Sequence, residues 1–273
     1  MRTMRGLVLL GCAAAVGFAT QASALPVTVS FRDGVGGYAG TKDTYVHEDA
    51  TGTNQGANVK VYSDGDDDLG TAETNAQVVT GLIRFDNLFD CPAGPSRCGG
   101  VIPDVGPGNI IILSATLTVK TGTAAGDISA ATRFDLHRMI ATWDETSTWT
   151  SLTSGISYNN TEAATTATAA VLNPGANTAG ALVNFDVTSD LQIWADNTSL
   201  STRGWAVKPC SNAGAAPVTG CTDGWLFDSS ETATIANRPI LSVTYEVIPE
   251  PTTMLLLGSG VALLGARRPG CRS

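Results

Sequence analysis

Basic side chains are scarce: 16 lysines and arginines face 25 acids across 273 residues, for a formal charge of −9. Five of those cations, Arg2, Arg5, Arg267, Arg268 and Arg272, sit at the extreme ends, so without them eleven face the 25 acids, Glu250 included, a charge of about −14. Such a body repels phosphate and anionic lipid, which excludes nucleic acid as a partner. Histidine is rarer still, with only His47 and His137, far apart, and no Cys-x-x-Cys spacing is present to begin a zinc site. No serine sits in a nucleophile elbow, and no catalytic set can be named. Helical periodicity is nearly absent and no internal repeat is visible, which sets aside helical bundles and propellers. What is present suits strands and turns: Thr, Val, Ala, Gly and Asn are plentiful, and charged residues make up only 15%.

Both ends read as addresses. Arg2 and Arg5 precede an apolar run from Gly6 to Ala19, and Ala22-Ser23-Ala24 offers a small-residue cleavage site, so residues 1–24 are expected to be a signal peptide. At the other end, Pro249-Glu250-Pro251 can continue neither strand nor helix. The uncharged run Met254 to Ala266 follows, closed by Arg267-Arg268. As a helix that run reaches about 20 Å, short of the ~30 Å hydrocarbon core. This order at residues 248–273 resembles the PEP-CTERM sorting signal of Gram-negative bacteria. The resemblance implies transient insertion of the tail in the membrane, recognition by an exosortase, and delivery to the cell surface or extracellular matrix. A plain C-terminal anchor is the alternative.

Residues 25–247 remain, about 220, enough for one all-β domain with a sizeable core. Four cysteines lie there, Cys91, Cys98, Cys210 and Cys221, and export permits disulfides. Of three possible pairings we favour Cys91–Cys98 and Cys210–Cys221, each closing a Pro/Gly-rich loop.

Strands are expected at Val27 to Phe31, Asp43 to Val46, Val59 to Tyr62, Val78 to Phe85, Ile110 to Lys120, Thr132 to Ile140 and Leu182 to Asp186. Thr188 can cap a short helix carrying Leu191, Ile193 and Trp194. Gly204 to Lys208, Gly224 to Phe227 and Pro239 to Val247 close the chain. The Ala/Thr stretch from Glu162 to Ala170 reads as loop. Many short strands with long loops favour a jelly-roll-type β-sandwich, with an immunoglobulin-like sandwich as runner-up.

A second resemblance rests on eight segments in order. They are Asp43-Thr44-Tyr45-Val46, Asn54-x-Gly56, Leu82-Ile83-Arg84-Phe85-Asp86, Ser114-Ala115-Thr116-Leu117, Trp143-Asp144-Glu145 to Thr148-Trp149, Phe185-Asp186-Val187-Thr188 to Trp194, Ser229-x-Glu231 and Arg238-Pro239-Ile240-Leu241. Together they resemble the DNRLRE domain, a secreted bacterial β-sandwich family that includes carbohydrate-binding modules. The resemblance implies a non-catalytic polysaccharide-binding protein, acidic polysaccharide included. In so acidic a body an anionic sugar finds little to pair with unless calcium bridges it. A structural or adhesion protein of the polymer layer is the alternative, and a polysaccharide-degrading enzyme would need two acids or a Tyr/His/Arg set converging in a cleft.

Tyr38, Tyr62, Tyr158, Trp205 and Trp225 are candidates to stack on sugar rings, although a sandwich of this size needs aromatics inside and each is more readily a core residue. Asp64, Asp66 and Asp68, alternating in a glycine-containing loop, can turn toward one point and suit calcium, though the spacing is not an EF-hand. A solvated acidic turn is the alternative. Trp143, Asp144, Glu145 and Trp149 read as a corner with indoles packed at the sandwich edge. N-terminal sequencing of the exported protein should begin at Leu25; a chain that still begins at Met1 contradicts the signal-peptide reading.

Overall fold

Alternating apolar and polar residues, broken by glycine and proline, divide the chain into short strands. The computed structural model describes residues 24–65, 78–91, 97–122, 133–172, 179–208 and 224–248. Within them run β1 (Val27–Phe31), β2 (Thr41–His47), β3 (Lys60–Asp64), β4 (Val79–Phe85), β5 (Ile110–Lys120) and β6 (Arg133–Arg138). Then come β7 (Ala169–Leu172), β8 (Leu182–Asp186), α1 (Thr188–Asp196), β9 (Trp205–Lys208), β10 (Gly224–Asp228) and β11 (Ile240–Val247). Leu25 to Ile248 form one compact unit.

Two antiparallel sheets result, one ordered β1-β11-β5-β8, the other β10-β3-β4-β9-β6-β7 with β2 also on β4. The chain changes sheet at β1–β2, β4–β5, β5–β6, β7–β8, β8–β9 and β10–β11, giving the expected all-β sandwich of jelly-roll type. In the smaller sheet the inward row pairs Leu241 with Leu117, and Leu117 with Phe185. The neighbouring outward row aligns Ser30, Ser242, Thr116 and Asp186. Hydroxyls bond across that outer face: Ser30 to Ser242 at 3.0 Å, and Thr28 to Thr244 at 2.9 Å.

The larger sheet is buried on both sides at its centre. Ile83 and Phe85 of β4 face the smaller sheet within the main core. Leu82, on the opposite face, joins Val46, Met139, Trp143, Leu152, Tyr158, Ala163 and Ala206 in a second core. Most of that second core belongs to the long β6–β7 connection, which covers the sheet there.

The disulfide Cys91–Cys98 forms as expected. Next to Cys98, Arg97 is 0% exposed. The guanidinium donates to Trp194 O at 2.7 Å and Asn197 O at 2.6 Å, carbonyls at the end of α1, and pairs with Asp104 at 2.8 Å. Cys210 and Cys221 lie outside the described residues.

Two expectations are corrected. The Ala/Thr stretch read as loop ends in strand: Ala169 and Ala170 pair with Leu136 and Asp135 of β6. A sheet edge supplied the hydrogen bonds that composition did not announce. Helix α1 begins at Thr188 but is not capped by it. Instead Asp186 Oδ1 accepts the Thr188 N–H at 2.9 Å, while the Thr188 hydroxyl accepts the Ala115 N–H at 2.9 Å.

Gly204, just before β9, has φ +65°, and a Cβ there would lie 2.0 Å from Ile83 O. Gly36 has a similar φ of +61° but nothing within 4 Å. Gly204→Ala should therefore lower stability by about 3 kcal/mol or more, and Gly36→Ala by only about 1 kcal/mol. Urea unfolding checks this, and equal losses would contradict the packing described.

Candidate functional site: a cavity under the β6–β7 connection

The connection leaves β6 and turns sharply at Trp143. That indole donates to Arg203 O at 2.7 Å, and the Arg84 guanidinium lies 5.0 Å over its ring. Asp144 fixes the corner by accepting the Thr146 hydroxyl at 2.5 Å and the Thr146 N–H at 2.8 Å. These donors hold its carboxyl below the usual carboxylate range. Glu145 pairs with Lys42 at 2.9 Å. Both indoles pack at this corner, Trp143 within the second core and Trp149, half-buried, against it.

Beyond Trp149 the short 3₁₀ turn Thr150–Leu152 drops Leu152 into the second core. Thr153, Ser154 and Gly155 then follow with φ of 56°, 73° and 98°. This left-handed run carries the chain back over Trp149, whose carbonyl accepts the N–H groups of Ser154 and Gly155, both at 3.1 Å. A Cβ on Gly155 would lie 2.5 Å from the Trp149 ring, so only glycine lets the backbone press against the indole.

The result is a cavity of about 530 Å³ lined by Trp149, Tyr158, Asn159, Thr161, Glu162 and Lys208 among others. That size falls within the ~300–1,000 Å³ of small-molecule sites. Glu162 accepts the Ser157 hydroxyl, and its backbone carbonyl accepts the Ile140 and Ala141 N–H groups at 2.8 and 3.0 Å. Lys208, from β9, sits with Nζ 4.9 Å from the centre of the Tyr158 ring and is opposite Asp135 in the ladder. His137 lies tilted against Tyr158 with ring centres 4.6 Å apart and donates Nδ1–H to Ala164 O at 2.8 Å. Burial moves each group toward its neutral form: it holds His137 and Lys208 below their ordinary values and pushes the Tyr158 phenol up. One carboxylate and one ammonium line the space, so it carries no strong field of either sign.

Of the five aromatics expected to stack on sugars, only Tyr158 reaches this cavity. Trp205 and Trp225 are 0% and 1% exposed in the main core, with no free face. The reason is their strands, which are buried on both sides, so alternation gives these side chains no outward turn. Tyr38 packs between Phe31 and Phe85 at 5.3 and 6.5 Å and donates its hydroxyl to Asp86 O at 2.8 Å. Tyr62 is half-buried, edge-on to Tyr45 at 5.1 Å. Sequence reasoning placed Trp149 at the corner and missed its place in the cavity; the signal was the Thr153-Ser154-Gly155 turn behind it.

Asp64 ends β3 buried at 2% exposure, while Asp66 and Asp68 lie outside the described residues. Among the described residues no three His, Cys, Asp or Glu side chains cluster as a metal site. Also among them, no helix is long and apolar enough to cross a membrane.

Residues 247–268 match the PEP-CTERM protein-sorting motif. The motif marks this as an exported, surface-directed protein that an exosortase processes. Pro249, Glu250, Pro251, Arg267 and Arg268 all lie outside the described residues. No curated protein matches the chain.

Proposed function

We propose that the body is a non-catalytic polysaccharide-binding module of the DNRLRE type. An exosortase of a Gram-negative bacterium delivers it to the extracellular polymer, after removal of residues 1–24. The observation that supports this best is the cavity: the half-buried Trp149 indole borders it, Tyr158 closes it from the second core, and Asn159, Thr161 and Glu162 offer amide, hydroxyl and carboxylate to sugar hydroxyls. Its near-balanced charge suits neutral sugar units.

Catalysis finds little support in the same space. Glycoside hydrolysis uses two carboxylates, and the cavity wall holds Glu162 alone. His137, Tyr158 and Lys208 do converge, but a phenol raised by burial is a poor base, and the His137 Nδ1 proton is engaged with Ala164 O.

A second reading, a spacer of the matrix with no glycan site, is favoured by the tryptophans. Trp143, Trp194, Trp205 and Trp225 are all 2% exposed or less, leaving no broad aromatic platform. Affinity electrophoresis through gels loaded with neutral or acidic glycans separates the two. The module should be retarded by at least one glycan, and Glu162→Gln should weaken that retardation about tenfold, near the ~1.4 kcal/mol of one hydrogen bond to a charged group. Free migration in every gel, with and without calcium, supports the spacer.

A further inference from the structure

Away from the cavity, the turn that follows β10 folds against β2. Asp43, on β2, is 1% exposed, and its Oδ2 accepts the Ser230 N–H at 2.8 Å. The Glu231 carboxyl lies within hydrogen-bonding reach of that of Asp43. Glu231 Oε1 accepts the Ser230 hydroxyl at 2.9 Å, and the Glu231 N–H donates to Ser229 Oγ at 3.2 Å. Ser229 is itself 0% exposed and bonded to Asn58 O at 2.7 Å, so the turn is fixed.

One oxygen of each carboxylate is thereby satisfied. The other two, Asp43 Oδ1 and Glu231 Oε2, are buried and have no hydrogen-bond partner. Among the described residues, no lysine or arginine forms an ion pair with either acid. Burial and the charge of Glu231 push Asp43 well above the usual carboxylate range.

Two carboxylates in contact away from water need a proton or a cation between them. The Ser230 N–H on one acid and the Ser230 hydroxyl on the other both favour the anion, but at Asp43 burial and the Glu231 charge outweigh them, so without a cation the pair holds a proton, and a cation that enters between the free oxygens releases it. The facing atoms are all oxygen, which is the chemistry of a hard ion. We propose that Asp43 Oδ1 and Glu231 Oε2 together bind a divalent cation of the calcium class, which clamps the β10 turn onto edge strand β2. No third acid joins the pair among the described residues, so water and neutral oxygens complete the shell. That places the affinity in the weak class of extracellular modules, Kd ~10⁻⁴–10⁻³ M. This inference is independent of the glycan reading, because the pair does not line the cavity.

The test uses the full chain stripped with EDTA and titrated with calcium chloride by calorimetry, with thermal melting alongside. Calcium should bind with a Kd in that range and raise Tm, and both responses should vanish in Asp43→Asn and in Glu231→Gln. Glu231 is only half-buried, so its variant keeps the fold, as circular dichroism will verify. Asp66→Asn should leave the response intact. Absence of any calcium response overturns the proposal and leaves the pair sharing a proton. A response that survives in Glu231→Gln also overturns it, because the ion then sits elsewhere.

Discussion

Trp225 holds the two sheets together. Standing on β10 of the larger sheet, it lies 6.1 Å from Phe185 on β8 of the smaller one, and 5.6 and 5.2 Å from Phe134 and Phe227. Aromatic pairs at these separations bury large areas and gain about 0.5–1.5 kcal/mol each beyond area alone. Trp194 of α1 meets Trp205 of β9 at 5.2 Å and extends the layer under the helix. Because the larger sheet is wider than the smaller, this layer cannot cover it all. The apolar residues on the other face of β4 and β9 need a second cover, and the β6–β7 connection supplies it. The cavity is a by-product of that cover: a loop that must bury Leu152 and Tyr158 leaves a space where it arches back over Trp149.

How far the sequence foretold this follows from where each element gets its energy. β1, β5 and β8 have the bounds read from alternation and glycine or proline breaks, because one face of each meets the core and the other meets water. β7 escaped notice because its alanines carry no hydrophobic period, and its stability comes from the edge of β6. Which of the tryptophans face outward is hidden for a related reason. Trp205 lies in a strand whose four residues are all buried, where the period-two rule has no polar face to reveal orientation. Trp149 lies outside any strand, so its partial exposure depended on three successive left-handed residues that sequence alone suggests only through Ser154-Gly155.

The acids divide in a similar way. Asp144 and Asp186 accept nearby threonine hydroxyls and N–H groups, local turn chemistry that is legible from spacing. Asp43 and Glu231 meet only because the turn after β10 returns to the second strand, and no local pattern announces such a pair.

Trp149 is the one tryptophan that is not fully buried, and it borders the cavity. Its emission can be followed while polysaccharide extracted from the cell's own extracellular polymer is titrated into the protein. We expect a saturable change in intensity or wavelength that disappears in Trp149→Phe, where only the buried indoles remain. An unchanged spectrum, or a change that persists in Trp149→Phe, would contradict the assignment of the cavity as the polysaccharide site.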